Sequence, residues 1–275
     1  MPELPEVETI RRTLEPGVVQ RTIVEGEALL AKLIQNQTAS DFLSQIRGRV
    51  ILGLDRRGKY LLFQLSGNLV MAVHLRMTGH LILRKNGLSE PPEAKATYLK
   101  LKLDNGTELH YVDQRKFGKI FLFAAGSAPA ALSKLGPEPL APEFTFDIFQ
   151  KRLAGRKLAI KKLLLNQEII VGLGNIYTDE ALFLAGVHPA RPVDSLTDEE
   201  LKRLYSSIRQ VLSEGIQWRG TTKRDYLDGE GKPGAYQEQL RVYDRKGAPC
   251  LKCKNMIVKM NFGGRGTHFC PFCQV

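Results

Sequence analysis

No stretch of the 275 residues approaches about eighteen uninterrupted apolar side chains, which excludes a membrane-spanning helix. The amino end, MPELPEVETIRRTL, lacks an apolar h-region and carries Glu3, Glu6 and Glu8. It is therefore neither a secretory signal nor an acid-poor transit peptide, and a cytoplasmic, nucleoid-associated location is expected. Cysteine is absent before position 250. HExxH spacing is absent among the five histidines, which argues against a catalytic zinc. No Gly-x-Ser-x-Gly elbow supports serine-hydrolase chemistry. Gly172-Leu-Gly174 lacks the third glycine and the preceding strand of a dinucleotide site, which removes a nicotinamide reading. Internal repeats and low-complexity tracts are also missing. Acidic residues are in deficit, 29 against 40 basic, for a net charge of +11. That imbalance favours a polyanionic partner, nucleic acid first.

What is present is globular. Hydrophobic residues make up 43% and charged residues 25%, and the length suits two domains better than one. From about 20 to 125 the pattern is β. Tyr98-Leu-Lys-Leu-Lys-Leu-Asp104 alternates apolar and polar side chains, Asn105-Gly106 supplies a hairpin turn, and Glu108–Val112 returns. Ser66-Gly67-Asn68 separates Tyr60–Leu65 from Leu69–His74 in the same way. Many short strands predict a β-sandwich or barrel.

A single helix precedes this region, with Pro5 in its first turn and Val7, Ile10 and Leu14 on one face, ending by Pro16-Gly17. Gly136–Pro142, with three prolines, predicts a linker. Helical periods follow over 147–154, 160–166 and 177–185, the last ended by Gly186. A Thr197–Glu200 capping box then opens a stripe of Leu201, Leu204, Tyr205, Ile208, Val211 and Leu212. Residues 219–239 are polar and glycine-rich, which predicts a mobile loop.

Cys250-x-x-Cys253, sixteen residues, then Cys270-x-x-Cys273 is the spacing of a four-thiolate tetrahedral Zn²⁺ site, structural because no coordination position stays open. In residues 241–275 seven basic side chains face Asp244 alone, a local balance of +6 on a metal-held ribbon, which suits phosphate. At the other end, removal of Met1 would give Pro2 a secondary α-amine. Such amines have a pKa near ~8, so a neutral, nucleophilic fraction exists at pH 7. Condensed with a sugar C1′, it becomes a cationic iminium that acidifies the adjacent C–H and permits elimination of phosphate. Glu3 is placed to move protons, with Glu6 beside it. The same residues also suit a plain helix start, and chemistry alone leaves the two readings equal.

The motifs together resemble the formamidopyrimidine-DNA glycosylase family: Met1-Pro-Glu-Leu-Pro-Glu-Val-Glu-Thr9, Arg57-Gly-Lys59-Tyr60, His74-Leu-Arg76-Met77, Asp113-Gln-Arg115-Lys-Phe117-Gly118, Val171–Tyr177, and Gly264–Cys270. These blocks follow the family's order across the whole chain. The resemblance implies an α+β multidomain fold. It would comprise a catalytic β-sandwich with a leading helix (1–135), a linker (136–146), a helix–two-turn–helix domain with a lesion-recognition loop at 219–239 (147–240), and a zinc-finger β-ribbon (241–275). It implies a monomeric bifunctional glycosylase and AP lyase that excises 8-oxoguanine and formamidopyrimidines from double-stranded DNA, also cleaves abasic sites, and carries one structural Zn²⁺. Pro2 would be the nucleophile and Glu3 the acid/base, with Lys59 and Arg265 completing the catalytic group through phosphates that flank the lesion. His74, Asn175 and Tyr243 would share that phosphate grip, and Lys161 would bind DNA near the centre. Met77, Arg115 and Phe117 would enter the base stack. Glu180 matches a carboxylate of the helical region, and Arg224 would help read the everted base.

Two features depart from the family pattern: Asp244 after Tyr243, and the adjacent charges Lys223 and Arg224. An endonuclease VIII-type enzyme preferring oxidised pyrimidines, and a zinc protein that binds damage without chemistry, are the competing readings.

Overall fold

A computed structural model of the chain describes residues 1–85, 95–223 and 226–275. These form two compact units: residues 1–133 with 219–235, and residues 134–218 with 236–275.

The first unit opens with helix α1 (Leu4–Val18), whose Val7, Ile10, Leu14 and Val18 recur at three- and four-residue spacing and enter the core. The helix continues past Pro16, beyond the end expected from the sequence. Pro16 and Arg12, whose carbonyl the missing N–H would have met, both lie on the exposed face, and the Val19 N–H still reaches the Glu15 carbonyl at 3.1 Å. Strands β1 (Ile23–Ala28), β2 (Ile51–Arg57), β3 (Tyr60–Leu65), β4 (Leu69–His74), β5 (Gly79–Lys85), β6 (Thr97–Leu103), β7 (Thr107–Asp113) and β8 (Lys119–Ala124) form two antiparallel sheets. Their orders are β1-β6-β7-β5 and β2-β3-β4-β8. In β6 burial alternates residue by residue, and Leu101 pairs with Leu109 across the Asn105-Gly106 turn. The inward faces of both sheets and the apolar face of α1 share one core, a β-sandwich with a leading helix. A short helix, α2 (Ala39–Ile46), is capped by Thr38 and buries Phe42 and Ile46 in that core.

The second unit contains α4 (Phe146–Leu153), α5 (Ile160–Leu164), α6 (Asn175–Ala185) and α7 (Asp198–Gln217), after the single turn α3 (Ala130–Ser133) that closes the first unit's opening segment. At α7 the Thr197 hydroxyl accepts the Glu200 N–H at 3.2 Å and Glu200 accepts the Thr197 N–H at 2.8 Å. The segment predicted as a linker is bonded to this unit. The Gly136 N–H reaches the Gln167 carbonyl at 2.8 Å, and the Val171 N–H reaches the Pro137 carbonyl at 3.2 Å. A ribbon of β9 (Val258–Phe262) and β10 (Arg265–Phe269) carries the four cysteines at its base. No helix among the described residues is long and apolar enough to cross a membrane.

Candidate catalytic, DNA-contact and metal sites

Pro2 and Glu3 are buried at the head of α1, where Glu3 is the N-cap residue, while Met1 is exposed. Glu6, one turn in, is also buried, and its carboxylate joins two segments. One oxygen accepts the Glu3 N–H at 2.8 Å and the other accepts the Thr221 N–H at 2.7 Å. The second contact requires glycine at 220. Its φ is +82°, and a Cβ there would sit 2.9 Å from the Glu6 carboxylate.

Residues 219–235 thus belong to the sandwich unit rather than to the helical domain in which the sequence placed them. Tyr226 is part of the sandwich core. The Gly229 N–H donates to the Thr13 hydroxyl at 2.9 Å, and the Leu83 N–H donates to the Gly229 carbonyl at 3.1 Å. Buried Asp228 pairs with Arg219 and accepts the N–H groups of Glu230 and Lys232, both at 2.9 Å. A polar, glycine-rich composition predicts mobility. Here the polar groups bond to the fold, which composition alone does not reveal. Arg224 lies outside the described residues.

Glu8 ties α1 to the sheet. Burial acts to raise its carboxyl, but hydrogen bonds from Arg11 and Arg12 and the charge of Arg56 outweigh it and hold the group below the usual range. Lys59, in the β2–β3 turn, is buried. At the end of β4, burial first, then the charges of Arg76, Lys59 and Lys119, push the His74 pKa down to about 3. Its Nδ1 accepts the Arg76 N–H at 3.0 Å, so the neutral ring keeps its proton on Nε2 as a donor.

Met77 and Phe117 are among the exposed large apolar side chains, at 45% and 49%. They are not scattered. Arg115 lies between them, its Nη1 3.1 Å from the Met77 sulfur and its guanidinium carbon 4.9 Å from the Phe117 ring centroid. The structure brings this predicted trio together on the turns after β4 and β7.

In the second unit, the two turns between α5 and α6 are clamped by Gln167. Its side chain donates to the carbonyls of Leu165 and Leu173 at 3.1 and 2.9 Å and accepts the Gly172 N–H at 2.9 Å. Asn175, at the start of α6, donates to the Gly266 carbonyl at 2.8 Å, one residue from exposed Arg265. Tyr243 is half-buried, with its ring edge-on to His268 at 5.0 Å.

Lys161 requires a correction. It is fully buried in α5, and its ammonium donates to Asp179 at 2.6 Å and to the Thr267 hydroxyl at 2.8 Å. A lysine so enclosed offers DNA nothing. Burial without a partner would be prohibitive, and Asp179 supplies the partner. Asp179 also accepts the His268 N–H at 2.9 Å, so the pair fastens the ribbon strand that begins with Arg265. Glu180 acts similarly on the segment before the ribbon. Burial pushes its carboxyl up, and it accepts the N–H groups of Arg241, Val242 and Tyr243, each at 2.9 Å.

The thiols of Cys250, Cys253, Cys270 and Cys273 lie within 4.8 Å of one another. Two of the separations are 3.9 Å, between Cys250 and Cys273, and 3.4 Å, between Cys253 and Cys270. A tetrahedron with Zn–S bonds of about 2.3 Å has edges of about 3.8 Å. The thiols therefore fit one structural Zn²⁺.

A helix-led β-sandwich, a clamped helix–two-turn–helix and a basic four-cysteine ribbon thus follow one another along the chain. Three family models match in order: the formamidopyrimidine-DNA glycosylase N-terminal domain over residues 1–120, the H2TH domain of the same enzymes over 135–226, and the zinc finger found in FPG and IleRS over 247–275. A formamidopyrimidine-DNA glycosylase of Symbiobacterium thermophilum is 49% identical across all of this chain and 89% of its own length. That of Heliobacterium modesticaldum is 48% identical across the whole of both chains. Among solved structures, the Lactococcus lactis Fpg in complex with abasic-site DNA superposes with a TM-score of 0.92 at 36% identity, covering 99% of each chain. The MutM (Fpg) protein of Thermus thermophilus gives 0.89 at 41% identity, covering 99% of this chain and 98% of that one. The chain belongs to the formamidopyrimidine-DNA glycosylase family.

Proposed function

We propose that this chain is a bifunctional DNA glycosylase and AP lyase of base excision repair. Its substrates are 8-oxoguanine and formamidopyrimidines in double-stranded DNA. The observation that carries this reading is the Pro2–Glu3 pair, held at the buried head of α1 by the Glu6 carboxylate. An amide nitrogen cannot attack C1′, so activity begins with removal of exposed Met1. The Pro2 amine then displaces the base from C1′, and Glu3 gives and takes the protons. The sugar ring then opens at the C1′–O4′ bond, O4′ taking a proton from Glu3, and the iminium so formed at C1′ acidifies the C2′–H. Loss of that proton expels the 3′-phosphate, a second elimination expels the 5′-phosphate, and water releases Pro2.

Lys59, His74, Asn175, Tyr243 and Arg265 serve as phosphate contacts, which position the duplex without reading sequence. The Nε2–H of neutral His74 and the exposed guanidinium of Arg265 support those roles. Met77 and Phe117 wedge into the stack while Arg115 hydrogen-bonds the widowed cytosine. Zinc keeps the ribbon folded and takes no part in the chemistry. The enzyme works as a monomer in the cytoplasm, at the nucleoid.

Borohydride trapping tests the reading. Incubated with an 8-oxoguanine duplex, the processed protein should form a covalent adduct and cut the strand, whereas Pro2→Gly should lose at least about 100-fold in cutting and still bind. A duplex carrying an oxidised pyrimidine should be a poorer substrate. No adduct, or undiminished cutting by Pro2→Gly, would overturn the assignment.

A further inference from the structure

Asp113, at the end of β7, is completely buried, yet no cation pairs with it among the described residues. Its carboxylate instead accepts five hydrogen bonds from neutral donors. One oxygen takes the Thr78 hydroxyl at 2.6 Å and the Arg115 N–H at 3.1 Å. The other takes the N–H groups of Phe117 and Gly118, both at 2.8 Å, and the Tyr111 hydroxyl at 3.2 Å. The Thr78 hydroxyl also accepts the Arg115 N–H at 3.1 Å, so the two turns are joined directly as well.

The geometry of both turns needs this anchor. Arg76 and Lys116 adopt φ of +57° and +58°, a left-handed conformation that costs an L-residue energy and persists only where neighbours over-determine it. Gly118 passes so near Tyr111 that a Cβ would overlap the phenol hydroxyl. Met77 precedes Thr78, and Arg115 and Phe117 donate to Asp113 through their own backbones. One carboxylate thus sets the backbone under all three exposed side chains.

We propose that Asp113 is the positioning residue of the Met77–Arg115–Phe117 trio and thereby governs which base is accepted opposite the lesion. The inference rests on the functional reading above. It assigns no contact with DNA to Asp113 itself. Aspartate is required because five donors converge on two oxygens. An asparagine would turn its NH₂ toward other donors and deprive at least two of them of this acceptor.

The test compares cleavage of 8-oxoguanine opposite cytosine and opposite adenine by wild type, Asp113→Asn, Thr78→Val, Arg115→Ala and the Asp113→Asn/Arg115→Ala double variant. Amide hydrogen exchange at Arg115, Phe117 and Gly118 is followed in parallel. Asp113→Asn should lower the cytosine preference by roughly tenfold or more, as expected for loss of a base-reading contact. It should speed exchange at those amides and leave cleavage of a preformed abasic site within about threefold of wild type. Thr78→Val should shift both readouts in the same direction by less. In the Arg115→Ala background, Asp113→Asn should change the preference no further, because both act through one group.

A folded Asp113→Asn with wild-type preference overturns the proposal, as does additivity in the double variant. If Asp113→Asn does not fold, Thr78→Val decides in the same way. A wild-type protein that cuts neither duplex would instead overturn the functional reading, while the exchange measurement still reports whether Asp113 anchors the turns.

Discussion

The β-sandwich and the four-cysteine ribbon both present candidate phosphate contacts, Lys59 and His74 on one and Arg265 on the other, but they are held by different means. Twenty-six buried apolar side chains, from two sheets, two helices, their connecting segments and the returning segment, make a single sandwich core. Around the ribbon the corresponding cluster has five: Phe183, Val242, Cys250, Ile257 and Cys270. Such a cluster falls far short of the ordering entropy of some thirty residues, roughly 1–2 kcal/mol each for backbone alone. The sandwich therefore fixes its side chains by packing. The ribbon relies on a metal and on two adjacent carboxylates of α6, Asp179 and Glu180. Damage of equal chemical size should accordingly have unequal consequences in the two places.

The largest effect should come from Cys253→Ser. Structural zinc in small fingers contributes roughly 10–16 kcal/mol of apparent binding free energy, most of it used to fold the domain. The variant should bind no zinc and lose DNA affinity by at least about 100-fold, and exchange protection over 250–275 should vanish while the sandwich melts as before. Metal analysis with a full complement of zinc would break the comparison. Next is Lys161→Met, which strands the Asp179 carboxylate in the interior and should destabilise the helical unit by about 3–5 kcal/mol. Denaturant titration measures it. Lys161→Met/Asp179→Leu should recover much of the loss.

A third effect belongs to the sandwich and sharpens the contrast by pH. His74 titrates near 6.5 in the unfolded chain and about 3 in the folded one, so stability is complete above pH 6.5 and falls as acid protonates only the unfolded state. Between pH 6.5 and 5 this amounts to about 2 kcal/mol, and His74→Gln should flatten the curve over that interval. Smallest is the salt response. Lys59→Ala and Arg265→Ala should each reduce the slope of log K against log[salt] by about one unit, alike for damaged and undamaged duplex, if each neutralises one phosphate.

The elements legible in the sequence are those written in local pattern. Asn105-Gly106 marks its hairpin, the Thr197–Glu200 box marks α7, and the paired CxxC knuckles mark a tetrahedral thiol site. These signals depend on neighbours within a few residues. The carboxylates that hold the functional turns leave no such trace. Even where the resemblance marks them, as at Asp113 and Glu180, nothing local shows the donors of Asp113, Asp179 and Glu180, some of which the fold delivers from segments tens of residues away. The resemblance makes Lys161 a DNA contact, and its local sequence does not show otherwise, since its partner stands eighteen positions on and its second acceptor far beyond that. Helix α2 leaves no clear signal because two buried side chains in eight residues are too few to establish a period.

The return of residues 219–235 to the sandwich unit bears on how the chain is made. Residues 134–218, 85 in number, separate the first part of that unit from its last. At a synthesis rate of about 5–20 residues per second, they take roughly 4–17 s to emerge. Throughout that interval the nascent sandwich lacks Tyr226 from its core, and Glu6 and Thr13 lack the N–H groups of Thr221 and Gly229. The head of α1, which carries Pro2, is therefore completed only after the whole run from 134 to 218 has left the ribosome.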